Sequence, residues 1–98
     1  MTPEGKILRS ICRWLDGLGS DVWYVKVRQG AYGVRGIPDL IICDGGDFIA
    51  IEVKAPGEDA TPLQRHTLDK IRAAFGRCGV ARSLEEAKEI VAAEGLTK

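Results

Sequence analysis

Two short apolar runs, Leu40-Ile41-Ile42-Cys43 and Phe48-Ile49-Ala50-Ile51, flank Asp44-Gly45-Gly46-Asp47. That arrangement constrains this chain more than any other. Gly-Gly between apolar runs is a strong signal for a two-residue hairpin, because the favoured turns need positive φ at their central positions. A two-residue loop sets the register: Asp44 faces Asp47, Cys43 faces Phe48, Ile41 faces Ala50, and Asp39 faces Glu52. Opposed side chains on neighbouring strands lie ~4.5–5.5 Å apart at Cβ. Two carboxylates at ~5 Å repel by about 3 kcal/mol at an effective dielectric near 20. A purely structural hairpin is not expected to keep such a pair, whereas a divalent cation between them reverses its sign. The strand's period of two then puts Glu52 and Lys54 on one face, with Ile49, Ile51 and Val53 on the other. Asp39, Glu52 and Lys54 therefore share a patch at the hairpin end away from the turn.

Two carboxylates and an ammonium suit a hard cation, Mg²⁺ or Mn²⁺, bound by oxygen ligands. Such an ion polarises a phosphoryl oxygen and lowers the pKa of bound water. The ammonium can orient that water or stabilise charge developing at phosphorus. Two further polar residues aim at the same region. Glu4 lies three, four and seven residues before Ile7, Leu8 and Ile11, and Gln64 lies four, seven and eleven before Leu68, Ile71 and Phe75. Each is a polar residue at the N-terminal end of a core-facing stripe, and a helix N-terminus favours a nearby anion such as phosphate.

The rest of the chain supplies a scaffold. A first helix is expected from about Pro3 to Leu18, capped by Thr2 and ended by Gly17 and Gly19, with Ile7, Ile11, Trp14, Leu15 and Leu18 as its apolar stripe. A strand over Val22–Arg28 follows, with Trp23, Val25 and Val27 on one face and Tyr24, Lys26 and Arg28 on the other. Trp14 and Trp23 are expected in the core or a dimer interface. Residues Gln29 to Gly36 read as a flexible, glycine-containing loop. Thr61-Pro62-Leu63-Gln64 opens a second helix that ends near Gly76, and a short strand runs over about Gly79–Arg82. Ser83-Leu84-Glu85-Glu86 starts a final helix closing at Gly95. The order helix, three strands, helix, strand, helix predicts an α/β fold, a mixed four-stranded sheet flanked by helices. At 98 residues the chain makes one domain, 1–98, with one modest core.

Several function classes drop out. No apolar run approaches the ~20 residues needed to span a bilayer, and the first residues lack a secretory leader's pattern. Cys12, Cys43 and Cys78 are odd in number and widely spaced, which fits a reducing, cytoplasmic setting better than disulfides or a zinc site. His66 is the only histidine, so HExxH zinc helices are impossible. There is no GxSxG elbow and no GxxxxGK[ST] loop, so no nucleotide cofactor is expected. His66 itself reads as an exposed helix residue.

Gly36-Ile37-Pro38-Asp39-Leu40, Ile51-Glu52-Val53-Lys54 and Thr61-Pro62-Leu63-Gln64 together resemble the VRR-NUC (virus-type replication-repair nuclease) family of the PD-(D/E)xK superfamily, with Pro38-Asp39…Glu52-Val53-Lys54 as the hallmark. The resemblance runs from Glu4 to the Ser83 helix start. It implies a restriction-endonuclease-like fold and metal-dependent hydrolysis of a phosphodiester that leaves a 5′-phosphate. By resemblance, Asp39 and Glu52 ligate Mg²⁺ or Mn²⁺ with the main-chain carbonyl of Val53. Lys54 positions or activates the attacking water, and Glu4 and Gln64 complete the site. Family members occur fused to larger repair proteins or alone in phage and bacteria, and this chain resembles the stand-alone kind. Similar members are associated with dimers acting on branched DNA such as four-way (Holliday) junctions. The stretch around Arg77–Arg82 looks shorter than usual in the family.

Fourteen basic and fourteen acidic residues cancel, yet they segregate. Val22–Pro38 holds Lys26, Arg28 and Arg35 and no acid; Ala60–Arg82 holds five bases against Asp69; the last sixteen residues hold four glutamates and two lysines. A basic middle and an acidic tail fit a nucleic-acid face opposite a solvated one. Lys26, Arg28, Tyr32 and Arg35 are the candidate backbone contacts. The expected activity is that of a structure-selective DNA endonuclease, acting as a homodimer because one site per chain must be paired to cut two strands. The alternatives are a non-catalytic nucleic-acid-binding subunit with the same fold, or a nuclease on another DNA or RNA substrate.

Overall fold

Local pattern and turn chemistry produce seven elements in the computed structural model, which describes residues 1–28 and 33–93. They are α1 (Pro3–Asp16), β1 (Val22–Lys26), β2 (Leu40–Asp44), β3 (Asp47–Val53), α2 (Pro62–Ala73), β4 (Arg77–Ala81) and α3 (Leu84–Ala92). The sheet order is β1-β2-β3-β4. β1 and β2 run antiparallel to their neighbours, while β3 and β4 are parallel, joined by a crossover through α2. The hairpin has the expected register, with Asp44 opposite Asp47, Cys43 opposite Phe48 and Ile41 opposite Ala50. Gly45 and Gly46 carry the positive φ values that a primed turn demands.

One face of the sheet is closed. Leu40, Ile42, Ile49, Ile51, Val53 and Ala81 pack with Ile11 and Leu15 of α1 and with Ala87 and Val91 of α3. Full burial of each large aliphatic stabilises the fold by roughly 1.5–3 kcal/mol. Among the described residues the other face is covered only over its β3–β4 half, where α2 lies against β4 and Cys78 Sγ reaches the carbonyl of Leu68 at 3.3 Å. Trp23, expected in the core or at an interface, stands 64% exposed on the β1–β2 half, with Val25 beside it and Phe48 of β3 also exposed. Trp14 is half-buried against the core and lies under the Lys88 ammonium.

The caps hold as expected, and the ends shift. Thr2 Oγ1 accepts from Gly5 N–H, and α1 stops at Asp16 rather than Leu18 because Gly17 already turns the chain. Leu18 is consequently exposed rather than part of the stripe. β1 ends at Lys26, short of Arg28, and β4 begins at Arg77, ahead of Gly79. The Ser83-Leu84-Glu85-Glu86 helix start forms half of a capping box: Ser83 Oγ accepts from Glu86 N–H, but the Glu86 carboxylate accepts from Arg82 N–H at 2.7 Å. α3 ends at Ala92, and Gly95 lies outside the described residues. After α2 the left-handed position is taken by Phe75 (φ 70°), where glycine is usual. Gly76 is needed next door for space, since a Cβ there would fall 2.7 Å from Ile71.

Candidate active site

Asp39 sits where two ladders end. Its carbonyl accepts from Val27 N–H at 2.8 Å and its Oδ2 accepts from Val53 N–H at 2.8 Å, so main chain and side chain together extend the sheet past Leu40. Glu52 projects from β3 beside it, and Glu4 reaches in from the first turn of α1. One carboxylate oxygen of each of Glu4, Asp39 and Glu52 lies within 4.8 Å of the other two. Asp39 and Glu52 therefore come together one position beyond the end of the ladder, and Glu4 joins them across the fold.

Glu52 is only 2% exposed. Gln64 Nε2 donates to its Oε1 at 3.3 Å, while its Oε2 is buried without a hydrogen-bond partner. The Gln64 amide has a forced orientation. Its Oε1 accepts from Thr61 N–H at 2.8 Å, and Thr61 Oγ1 accepts from Gln64 N–H at 3.2 Å, a complete capping box. With its oxygen engaged at the cap, the amide offers Glu52 a donor. Burial pushes the Glu52 carboxyl up to about 8 from an ordinary 4.5. Asp39 adds to the rise through its charge and a carboxyl–carboxyl hydrogen bond, Lys54 opposes it, and Glu4 contributes least. Lys54 follows β3, half-buried, with its N–H bonded to the Ala81 carbonyl at 3.0 Å.

This donor set fits a hard divalent cation. Three carboxylates converge, one buried oxygen has no hydrogen-bond partner, and burial beside the Asp39 charge raises the Glu52 carboxyl. The Val53 peptide lies at the site, its N–H taken by Asp39.

The residues expected to contact nucleic acid do not join this cluster. Lys26, Arg28 and Arg35 are exposed, and because β1 ends at Lys26, Arg28 does not share its strand face. Tyr32 lies outside the described residues. The basic stretch 60–82 is largely neutralised: Arg65 and Arg82 pair with Asp59, Arg72 with Asp69, and Arg77 with Asp47.

Three features position the site, of which the Thr61 cap was legible in the sequence and the other two were not. Gly36 is buried at φ 75°, where a Cβ would lie 2.8 Å from Leu63 Cγ, so the strap entering Pro38-Asp39 is pressed against α2 rather than simply flexible. Thr61 fixes the Gln64 amide as well as the helix start. Arg82 ties down the β3–α2 connection through the Glu58 carbonyl at 2.9 Å and Asp59 at 2.7 Å. Glycine before Ile-Pro-Asp was a visible signal for the first; the Arg82 contact spans 23 residues and had none.

No family model matches the sequence, and no curated protein matches it. Among solved structures, one described as "VRR_NUC domain" superposes with a TM-score of 0.78 at 22% identity, covering 93% of this chain and 96% of its own. A second, "VRR_NUC domain protein", gives a TM-score of 0.74 at 19% identity, over 93% of this chain and 86% of that one. With a mixed four-stranded sheet, three helices and the acidic cluster at the hairpin's open end, the chain has the fold of the VRR_NUC domain, a restriction-endonuclease-like architecture of the PD-(D/E)xK type.

Proposed function

We propose that the protein is an Mg²⁺- or Mn²⁺-dependent DNA endonuclease of the VRR-NUC family that hydrolyses phosphodiester bonds. The observation that carries this reading is the meeting of Glu4, Asp39 and Glu52 within 4.8 Å around a buried, unpartnered Glu52 oxygen. Asp39, Glu52 and the main-chain carbonyl of Val53 would hold the ion. When bound, it would polarise a phosphoryl oxygen and lower the pKa of water.

The chain's own residues do the rest. The bond from Val53 N–H keeps the Asp39 carboxylate from rotating, and Gln64 steadies Glu52 Oε1. Glu4 completes the anionic corner. Lys54 donates to the attacking water and offsets charge developing on the phosphoryl oxygens. Water adds to phosphorus, the bond to the 3′ oxygen breaks, and a proton ends on that oxygen, leaving a 5′-phosphate and a 3′-hydroxyl.

Branched DNA, four-way junctions above all, is the substrate class we favour, cut by a homodimer. The exposed apolar surface of the sheet, with Trp23 and Val25 of β1 and Phe48 at the start of β3, supports pairing with a second copy. The intact Asp39, Glu52 and Lys54 set argues against a non-catalytic binding subunit. No helix among the described residues is long and apolar enough to cross a membrane. The test is cleavage of linear, flapped and four-way DNA with Mg²⁺ or Mn²⁺, using Asp39→Asn and Lys54→Ala as controls. Preferential, metal-dependent cutting of the four-way substrate is expected; identical products from wild type and both variants would defeat the catalytic assignment. Light scattering at micromolar concentration should give a dimer, and a monomer there would remove the pairing.

A further inference from the structure

Two sets of cations in this molecule contrast. Arg65, Arg72, Arg77 and Arg82 are each paired with an aspartate, and their donors also reach the main-chain carbonyls of Ala60, Cys78, Val91 and Glu58. They are occupied in holding α2, β4 and the β3–α2 connection together. Lys6, Arg9 and Arg13 are different. They lie at i, i+3 and i+7 on α1, opposite its buried Ile11 and Leu15, and all three are exposed. No ion pair engages any of them among the described residues.

The two acids of α1 do not cancel this stripe. Glu4 belongs to the carboxylate cluster, and Asp16 accepts from Tyr24 Oη at 2.6 Å. The stripe also leads somewhere. Arg9 and Lys26 line one shallow hollow of about 350 Å³ together with Gly5, Leu8 and Cys12. Lys26 pairs with Leu40, the residue next to Asp39. A line of exposed positive charge thus runs from Arg13 through Arg9 to Lys26 and stops beside the acidic cluster.

We infer that Lys6, Arg9 and Arg13 of α1, continued by Lys26, form the phosphate-backbone track along which duplex DNA reaches the site. The inference rests on the nuclease reading and adds residues to it. Seven residues of helix rise ~10 Å, which matches about three phosphates of one strand at 3.4 Å of axis each. A stripe of flexible cations on a regular helix reads charge and spacing rather than base edges, so the track serves any sequence. The four arginines of residues 60–82 contribute little to this attraction because their charge is already compensated.

The experiment is the salt dependence of binding to a short labelled linear duplex in EDTA, where cleavage is silent. Glutamine keeps the helix propensity of arginine, so Arg9→Gln/Arg13→Gln should retain wild-type helicity by circular dichroism. Its slope of log affinity against log salt should fall by about two, one for each phosphate that is no longer neutralised. Arg9→Lys/Arg13→Lys should keep the wild-type slope, and so should Arg65→Gln/Arg72→Gln. An unchanged slope in Arg9→Gln/Arg13→Gln, or an equal fall in Arg65→Gln/Arg72→Gln, overturns the track. Failure of the nuclease reading looks different: a wild type that binds with the α1-dependent slope yet cuts no DNA with Mg²⁺ or Mn²⁺.

Discussion

Glu52→Gln is the perturbation that tests the site's electrostatics most directly. Glu52 is almost wholly buried, with its carboxyl raised to about 8 in the fold against 4.5 ordinarily. A carboxyl whose folded value is raised favours folding fully below pH 4.5 and loses that contribution as pH climbs toward 8, because the unfolded chain releases a proton that the fold retains. Between 4.5 and pH 7, at about 1.4 kcal/mol per pH unit, the loss comes to about 3 kcal/mol. Glutamine has no proton to release, and its carbonyl can still accept from Gln64 Nε2. In EDTA, Glu52→Gln should therefore be more stable than wild type at pH 7 by about 3 kcal/mol. At ~4–8 °C per kcal/mol for a domain of this size, that is a Tm higher by on the order of 10 °C or more. The two proteins should converge near pH 4.5. Mg²⁺ should raise the Tm of wild type, as any ligand of the native state does, and leave that of Glu52→Gln nearly unchanged. Parallel pH profiles, or a variant less stable than wild type at pH 8, would refute the reasoning.

Other perturbations probe the remaining parts. Asp39→Asn should slow Mg²⁺-dependent cleavage at least about a hundredfold in single-turnover assays, since losing a ligand forfeits several kcal/mol of charge stabilisation; a wild-type rate sinks its metal role. Lys54→Ala should lower the cleavage rate by about 10²–10³ while DNA affinity measured in EDTA barely changes; a loss confined to binding would move Lys54 out of the chemistry. Thr61→Ala should cost about 1 kcal/mol of stability and, by freeing the Gln64 amide, also reduce turnover. A destabilised yet fully active Thr61→Ala would mean that the cap matters only to the helix. Gly36→Ala, which would put a Cβ 2.8 Å from Leu63 Cγ at φ 75°, should destabilise by about 1–3 kcal/mol in a denaturant titration; an unchanged midpoint would show that the strap yields.

Local rules were enough for the hairpin and most helix starts. Turn type and strand period depend on near neighbours, so Asp44-Gly45-Gly46-Asp47 determined which residues oppose one another as far as Leu40 and Ile51, and with them the nearness of Asp39 to Glu52. Thr2 and Thr61 were readable for the same reason, each bonding a backbone N–H three residues on. The fate of Trp23 was not. Alternation says which residues share a face, but whether that face is covered depends on where α2 docks, and α2 lies over β4. Net charge misled similarly: Arg77 and Asp47 are 30 residues apart, and only the assembled sheet makes them partners.

What the amino-acid order determined alone is a pair of opposed carboxylates with a lysine beside them, because register and period are local properties. Tertiary structure decided that Glu4 completes the cluster from 48 positions before Glu52, that Glu52 is buried with one oxygen unpartnered, and that Arg65, Arg72, Arg77 and Arg82 are ion-paired while Lys6, Arg9 and Arg13 of α1 are not. Burial and charge compensation are set by everything that surrounds a group, and that environment exists only once the distant segments have packed.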